Sequence, residues 1–197
     1  MAPLPFTDPA ARVVFFVVLG IFAALEVSIR IRSELNRGGE RVDRGSVFVV
    51  VAAIVVGVGG GISLAGKVRG AGIHDGRWAL FVAGVVVMVG GIAIRQWSVA
   101  SLGRFFTVEV RVHENQTVVE RGPYRWVRHP SYTGMILAFA GMGLALGNWA
   151  SIVVLVVVPT AGLVVRIHFE ERALLAGIGE PYRRFSATRA HLFPRVW

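Results

Sequence analysis

The chain contains no cysteine, which removes disulfides, thiolate nucleophiles and thiolate metal sites together. It is also poor in charge. Asp, Glu, Lys and Arg make up 17% of its 197 residues, against 54% that are hydrophobic. With a mean hydropathy of +0.62, this is the composition of a membrane protein, and one integrated membrane domain accounts for the whole length. Lysine is almost missing: of 21 basic side chains only Lys67 is a lysine. Internal repeats, low-complexity linkers and a soluble second domain are absent. His74, His113, His168 and His191 show no metal-ligand spacing, so no metal is expected. Nor is a cleavable leader expected: Met1 to Pro9 is neutral to acidic with three prolines, and the first basic residue is Arg12, so the first apolar run reads as a permanent anchor.

What charge there is has one dominant sign. The net charge is +9 and the isoelectric point is near 11.4. Nucleic acid is not the expected partner, because the arginines are divided among loops and not gathered on one aromatic-rich face. Loops touching anionic membrane lipids explain them better. Five apolar runs approach the length a bilayer requires of a helix: Val13–Ile29, Val47–Leu64, Trp78–Ala100, Ser131–Leu146 and Ala150–Ile167. The last two are separated only by Gly147-Asn148-Trp149 and form a hairpin. Pro159 is expected to kink the fifth. Arg30, Arg32, Arg37, Arg41 and Arg44 fill the first loop. Arg104, Arg111, Arg121, Arg125 and Arg128 fill the third, and Arg172, Arg183, Arg184, Arg189 and Arg195 the tail. The opposite side has few, which places the N-terminus outside and the C-terminus in the cytoplasm. The expected fold is an all-α integral membrane protein of about five transmembrane helices. Residues 1–100 form a three-helix N-terminal region and 101–197 a catalytic region.

Glycines inside the spans (Gly57, Gly59, Gly60, Gly61, and the Gly143/Gly147 pair) suit close helix packing. A phosphate-cradling loop is the weaker reading of the first group, because no strand precedes it.

Two polar clusters interrupt this apolar body. Gly122-Pro-Tyr-Arg-Trp-Val-Arg-His-Pro-Ser-Tyr-Thr-Gly134, preceded by Leu102-Gly-Arg-Phe-Phe-Thr107, stands at the mouth of the fourth span, where charged groups are costly and so tend to be functional. His129 precedes Pro130 and is biased away from helix, while Pro130 suits a first helical turn. Arg128 and His129 would then sit at a helix N-terminus, which attracts anions. The second cluster is Arg166-Ile-His-Phe-Glu170-Glu171-Arg-Ala-Leu174. Arg166 and Glu170 share a helix face, either as an ordinary salt bridge or as one grip for an anion beside one for a cation. Arg95, Gln96 and Trp97 could line a lateral opening to the bilayer, or simply belong to an interfacial belt.

Gly-x-Tyr-x-x-x-Arg-His-Pro-Ser-Tyr-x-Gly, then Arg-x-x-x-Glu-Glu-x-x-Leu, then Gly179-Glu-Pro-Tyr182-Arg-Arg-Phe185 resembles the isoprenylcysteine carboxyl methyltransferase family of integral membrane enzymes, over about Ser101 to Pro194. Arg-His-Pro-x-Tyr is shared with membrane phospholipid methyltransferases and sterol reductases. The resemblance implies a cytoplasmic pocket for S-adenosylmethionine (SAM) built by the third loop, the ends of spans four and five, and the tail. By motif position Tyr124, His129, Pro130, Ser131, Tyr132 and Glu170 would contact SAM. Gln116, Thr117, Val118 and Val119 would supply backbone contacts and an apolar wall. Glu109 and Gln116 stand where relatives often carry glutamine and histidine. Arg166 would hold a substrate carboxylate and, with Glu170, form the catalytic pair. The acceptor would be a lipidic, isoprenylcysteine-like carboxylate that reaches the site from the bilayer. The alternatives are an amine N-methyltransferase acting on lipid, an NADPH reductase of the sterol type and a non-enzymatic membrane protein. The scarcity of lysine and the abundance of Ala, Val and Gly suit a GC-rich bacterial genome, hence a multi-pass protein of the bacterial cell membrane.

Overall fold

The structure is a computed structural model describing residues 2–35, 40–41, 45–109, 111–112 and 117–194. A one-turn helix α1 (Leu4–Thr7) leads into α2 (Pro9–Leu35). Then follow α3 (Ser46–Lys67), α4 (Arg77–Leu102), α5 (Pro130–Leu146), α6 (Trp149–Ile178) and a short α7 (Glu180–Thr188). Two two-residue strands, β1 (Glu40–Arg41) and β2 (Arg111–Val112), pair antiparallel between the loops. The architecture is therefore all-helical, with α2 to α6 at the five expected places. Helices α2, α3, α4 and α6 are long and apolar enough to cross a bilayer, and the protein is a multi-pass membrane protein.

The outward surfaces explain that placement. Val13, Val17, Phe48, Val55, Val82, Val86, Val153 and Val157 are all exposed, as is expected where the surrounding solvent is hydrocarbon. Helix α5 differs. At 17 residues it is about 25 Å long, short for a span, and thirteen of those residues are buried. It is the central post around which α4 and α6 pack.

Small residues let α4 reach it. A Cβ on Gly84 would stand 2.3 Å from the Ala145 nitrogen, and one on Gly91 2.4 Å from that of Ala138. From the other side, a Cβ on Gly141 would meet the Met88 nitrogen at 2.3 Å and one on Gly134 the Arg95 nitrogen at 2.7 Å. The two backbones are in contact over three turns, the arrangement small residues permit in membranes. On the other side, α3 packs on α6 through Gly57 against Pro159 and Gly61 against Leu155, and the Ser151 hydroxyl donates to the Gly61 carbonyl at 2.7 Å. Thus Gly57 and Gly61 pack closely, and so does Gly143, against Ile152. Gly147 acts differently, ending α5 at φ +60°, after which Asn148 caps α6 by accepting from the Ser151 amide at 3.2 Å. Pro159 lies within an unbroken α6, which runs to Ile178, past the apolar run that ends at Ile167 and through Arg166 and Glu170, as their shared helix face requires.

Gly90 and Gly91 separate these effects within one helix. Gly91→Ala drives a methyl into backbone and should lower stability in detergent by about 1–3 kcal/mol. Gly90→Ala meets nothing within 4 Å and should be neutral or stabilising by up to about 1 kcal/mol. Thermal denaturation midpoints of the two variants check this.

Candidate functional site

The site assembles where α5 begins. Gly122, at φ +59°, lies against Ser101 and Trp97 at the end of α4, with room for no side chain. The 3-10 turn it opens (Gly122–Arg125) points Tyr124 inward. His129 is non-helical, as its neighbour Pro130 requires, and Pro130 starts α5.

Glu171 fixes this strip to the tail. Its carboxylate accepts from Arg128 Nη1 at 2.7 Å and His129 Nε2 at 3.1 Å, and lies 3.4 Å from His191 Nε2. The backbone reinforces the join: the amides of Arg128 and His129 donate to the carbonyls of Ala190 and His191 at 2.8 and 2.9 Å, and the Thr133 hydroxyl donates to the Leu192 carbonyl at 2.6 Å. Arg128 Nη2 meets His191 Nδ1 at 2.8 Å. A guanidinium only donates, so Nδ1 accepts and the imidazole proton resides on Nε2, facing Glu171. Burial, together with the charges of Arg128 and His129, holds the His191 pKa below the usual histidine value, against the pull of Glu171.

Glu170, one residue earlier, faces the other way. The Tyr132 hydroxyl donates to Glu170 Oε2 at 2.5 Å and accepts from Arg166 Nε at 3.4 Å. Arg166 and Glu170 therefore meet through a tyrosine that helical spacing alone does not reveal. Arg166 is 5% exposed. Its Nη1 donates to Ser46 Oγ at 2.7 Å and its Nη2 to the Val108 carbonyl, which joins α6 to α3 and to the third loop.

A pocket opens beside this group. It is lined by Glu109, Thr117, Val118, Val119, Tyr124, His129, Ser131, Tyr132, Arg166 and Glu170, ten of the twelve residues expected from sequence. Pro130 is fully buried at the start of α5 and does not line it. Gln116 lies outside the described residues. The pocket also takes in Arg128, expected at the anion-attracting start of α5, and Leu174, Tyr182 and Phe185, which motif position marked without giving them a role, so all three tyrosines of the chain surround it. Burial, with Glu170 nearby, raises the Tyr124 pKa well above the usual value. Burial, with Glu171 and Glu170 nearby, does the same for Tyr182. Both remain protonated donors at neutral pH. The Tyr182 hydroxyl and Arg128 Nε are buried without a partner among the described residues, which leaves donors for a ligand.

A second, apolar cavity of about 440 Å³ adjoins the first, between α2, α3, α5 and α6. The two share Phe106, Thr107, Tyr132 and Arg166 as a common wall. Arg95 lines the apolar cavity and is 6% exposed, so it does not belong to a surface belt. Trp97, at 46% exposure, is at the surface.

The model of the isoprenylcysteine carboxyl methyltransferase family matches residues 83–176, from within α4 almost to the end of α6. A probable protein-S-isoprenylcysteine O-methyltransferase of Oryza sativa subsp. indica is 31% identical over 111 residues, covering 55% of this chain and 58% of that protein. Protein-S-isoprenylcysteine O-methyltransferase A of Arabidopsis thaliana is 31% identical over 122 residues, 61% of this chain and 62% of that protein. A methanethiol S-methyltransferase of Mycobacterium tuberculosis is 35% identical over 71 residues, 36% of this chain and 28% of that protein. The chain thus spans little more than half the length of the plant relatives it matches.

The tail's attachment should depend on pH. A histidine whose folded pKa is depressed contributes stability that is present above its unfolded pKa and lost as pH falls through the folded value. The protection factors of the Arg128 and His129 amides, with the intrinsic pH dependence of exchange divided out, should be high above about pH 6.5 and fall below it. In His191→Gln that pH dependence should flatten.

Proposed function

We propose that this chain transfers a methyl group from SAM to the carboxylate of a lipidic, isoprenylcysteine-like acceptor, a reading supported by the match of residues 83–176 to the isoprenylcysteine carboxyl methyltransferase family. The observation that carries this reading is the shared wall. A polar pocket and an apolar cavity meet at Phe106, Thr107, Tyr132 and Arg166, so a cofactor in one and a lipid in the other would present their reacting ends to each other there.

The residues of the polar pocket fit SAM. The Glu170 carboxylate suits an ammonium group, Val118, Val119, Leu174 and Phe105 offer an apolar wall for a flat base, and the unpartnered Tyr182 hydroxyl offers a buried donor. When bound, SAM supplies a methyl group whose bond to the sulfonium sulfur breaks as a carboxylate oxygen bonds to its carbon, the electron pair staying on sulfur. A carboxylate is already ionised at neutral pH, so this chain's residues have no proton to remove, which agrees with tyrosines that hold theirs. They orient the reactants and exclude water. The Arg166 fork would hold the acceptor carboxylate in line. Tyr132, donating to Glu170 and accepting from Arg166, would keep the cation-binding and anion-binding groups at a set distance.

The apolar cavity is lined along α5 by Tyr132, Met135, Phe139 and Met142, a run of about 15 Å at helical rise. That depth favours a chain-bearing acceptor over a small thiol. Helices α2 and α3 both line the cavity but make next to no contact with each other, which leaves a slit through which a lipid could arrive from the bilayer. The arginine-rich loops would turn this end of the bundle toward the cytoplasm of a bacterial cell.

Calorimetric titration of the detergent-purified protein with SAM, and with NADPH in parallel, tests the reading. SAM should bind saturably and NADPH should not, and Glu170→Ala should weaken SAM at least about tenfold by removing a charged partner. Binding of NADPH alone would assign the fold to reductive chemistry. SAM binding followed by methylation of a lipid amine in place of a farnesyl thioether carboxylate would change the acceptor class.

A further inference from the structure

One ion pair, between the buried Arg95 and the partly buried Glu26, takes no part in the chemistry above. Glu26 lies inside α2, and both of its oxygens are held by the fork of Arg95 on α4: Nε to Oε1, and Nη2 to Oε2 at 2.6 Å. The remaining Arg95 nitrogen, Nη1, donates to Ser131 Oγ at 2.6 Å. Arg95 and Glu26 both line the apolar cavity, while Ser131 lines the polar pocket. A charged pair within a membrane helix bundle is costly to keep and usually marks function.

The packing of α2 indicates what the pair does. Ala11, Phe15, Phe22, Ile29 and Ser33 are its buried residues, a seam at spacings of four and seven, and Glu26, four after Phe22 and three before Ile29, falls on that seam where an apolar residue would pack. The helix lies alongside α4 and touches α5 through Phe22 edge-on to Phe139, at 6.0 Å between ring centroids. It supplies Leu19, Phe22, Ala23, Val27 and Arg30 to the cavity and faces α3 across the slit with almost no contact. Two polar ties hold this wall near the site: Glu26 on Arg95, and the Ser33 hydroxyl accepting from the Val108 amide at 2.7 Å. Both fasten α2 to elements that also build the shared wall or adjoin it.

We propose that the Glu26–Arg95 pair is the clasp that sets the position of α2, and with it the width of the lipid opening between α2 and α3, which makes Glu26 a positioning and specificity-determining residue for the lipid acceptor. This rests on the apolar cavity being the acceptor site. Glu26 lines the apolar cavity and not the polar pocket, so its direct action is on the acceptor side. Arg95 transmits its effect, because the guanidinium that holds Glu26 also fixes the first turn of α5.

The absence of cysteine allows a direct test. Spin labels on Val27→Cys and Val51→Cys, two exposed residues on opposite lips of the slit, report its width by pulsed electron resonance whether or not the protein is an enzyme. In an otherwise unchanged chain the distance distribution should be narrow. Glu26→Gln should broaden it and Glu26→Asp should restore it. In methylation assays with geranyl, farnesyl and geranylgeranyl thioether carboxylates, Glu26→Gln should raise the acceptor KM about tenfold and flatten the preference among chain lengths, as misplacement of a positioning element does. The KM for SAM should not change. An unchanged distance distribution in Glu26→Gln overturns the proposal, and so does a loss of SAM binding in step with the acceptor effect. Where Glu26→Gln does not fold, Arg95→Lys reads the label distances and the acceptor KM, since an ammonium cannot hold both glutamate oxygens; the SAM criterion is read on Glu26 variants alone, because Arg95 also holds Ser131 of the polar pocket. A chain that transfers no methyl group would fail the functional reading, while the distances would still decide the clasp.

Discussion

Backbone contact between α4 and α5 governs the placement of every group in the site. Where Gly91 meets Ala138 and Gly134 meets Arg95, no side chain separates the helices, and the register between them cannot slide without collision. That register puts Arg95 beside Ser131 and brings the end of α4 against Gly122, so the Arg-His-Pro strip has a fixed start and a fixed end. Rigid packing of this kind allows groups on loops to hold a geometry that loops alone would not keep. The strip can then present Tyr124, His129 and Tyr132 to one pocket although they come from a turn, a helix cap and a helix.

An apolar bundle makes each polar group inside it a matter of partners, since an unpaired one costs roughly 1–3 kcal/mol. Arg166 reaches Ser46, Val108 and Tyr132, and Arg95 reaches Glu26 and Ser131. These two arginines thereby tie together helices that otherwise share mainly hydrocarbon contacts. Both line the apolar cavity. The same residues that make the bundle cohere therefore put buried charge on the cavity wall, and an amphiphile in the cavity would be oriented by it.

Much of this was legible in the sequence. The five helices were, because runs of Val, Ala, Leu and Ile of spanning length admit one reading in a membrane protein. Of the residues that line the pocket, ten were legible, six within the motifs and four through the resemblance the motifs carry. The rest was hidden for identifiable reasons. Glu26 and Arg95 are separated by 69 positions, and nothing local announces that they meet; Arg95 at the end of an apolar run reads as well as a surface belt. Tyr132 between Arg166 and Glu170 is a tertiary fact imposed on a helical spacing that also suits a direct salt bridge. The tail's docking depends on backbone hydrogen bonds to Ala190 and His191, which carry no signature in side-chain type. Tyr182 belonged to a noted motif, but only its burial without a partner indicates that it faces a ligand site.

Adjacent glutamates at the end of α6 serve two different ends. Successive residues on a helix point about 100° apart, so Glu170 and Glu171 take different partners. Glu170 turns to Tyr132 and the polar pocket, and Glu171 turns to Arg128, His129 and His191. One helical turn thus holds both the group that would grip a cation and the group that closes the tail over the strip. The continuation of α6 past its apolar run, to Ile178, is what makes this possible: it keeps both carboxylates on a helix, where each has a fixed direction.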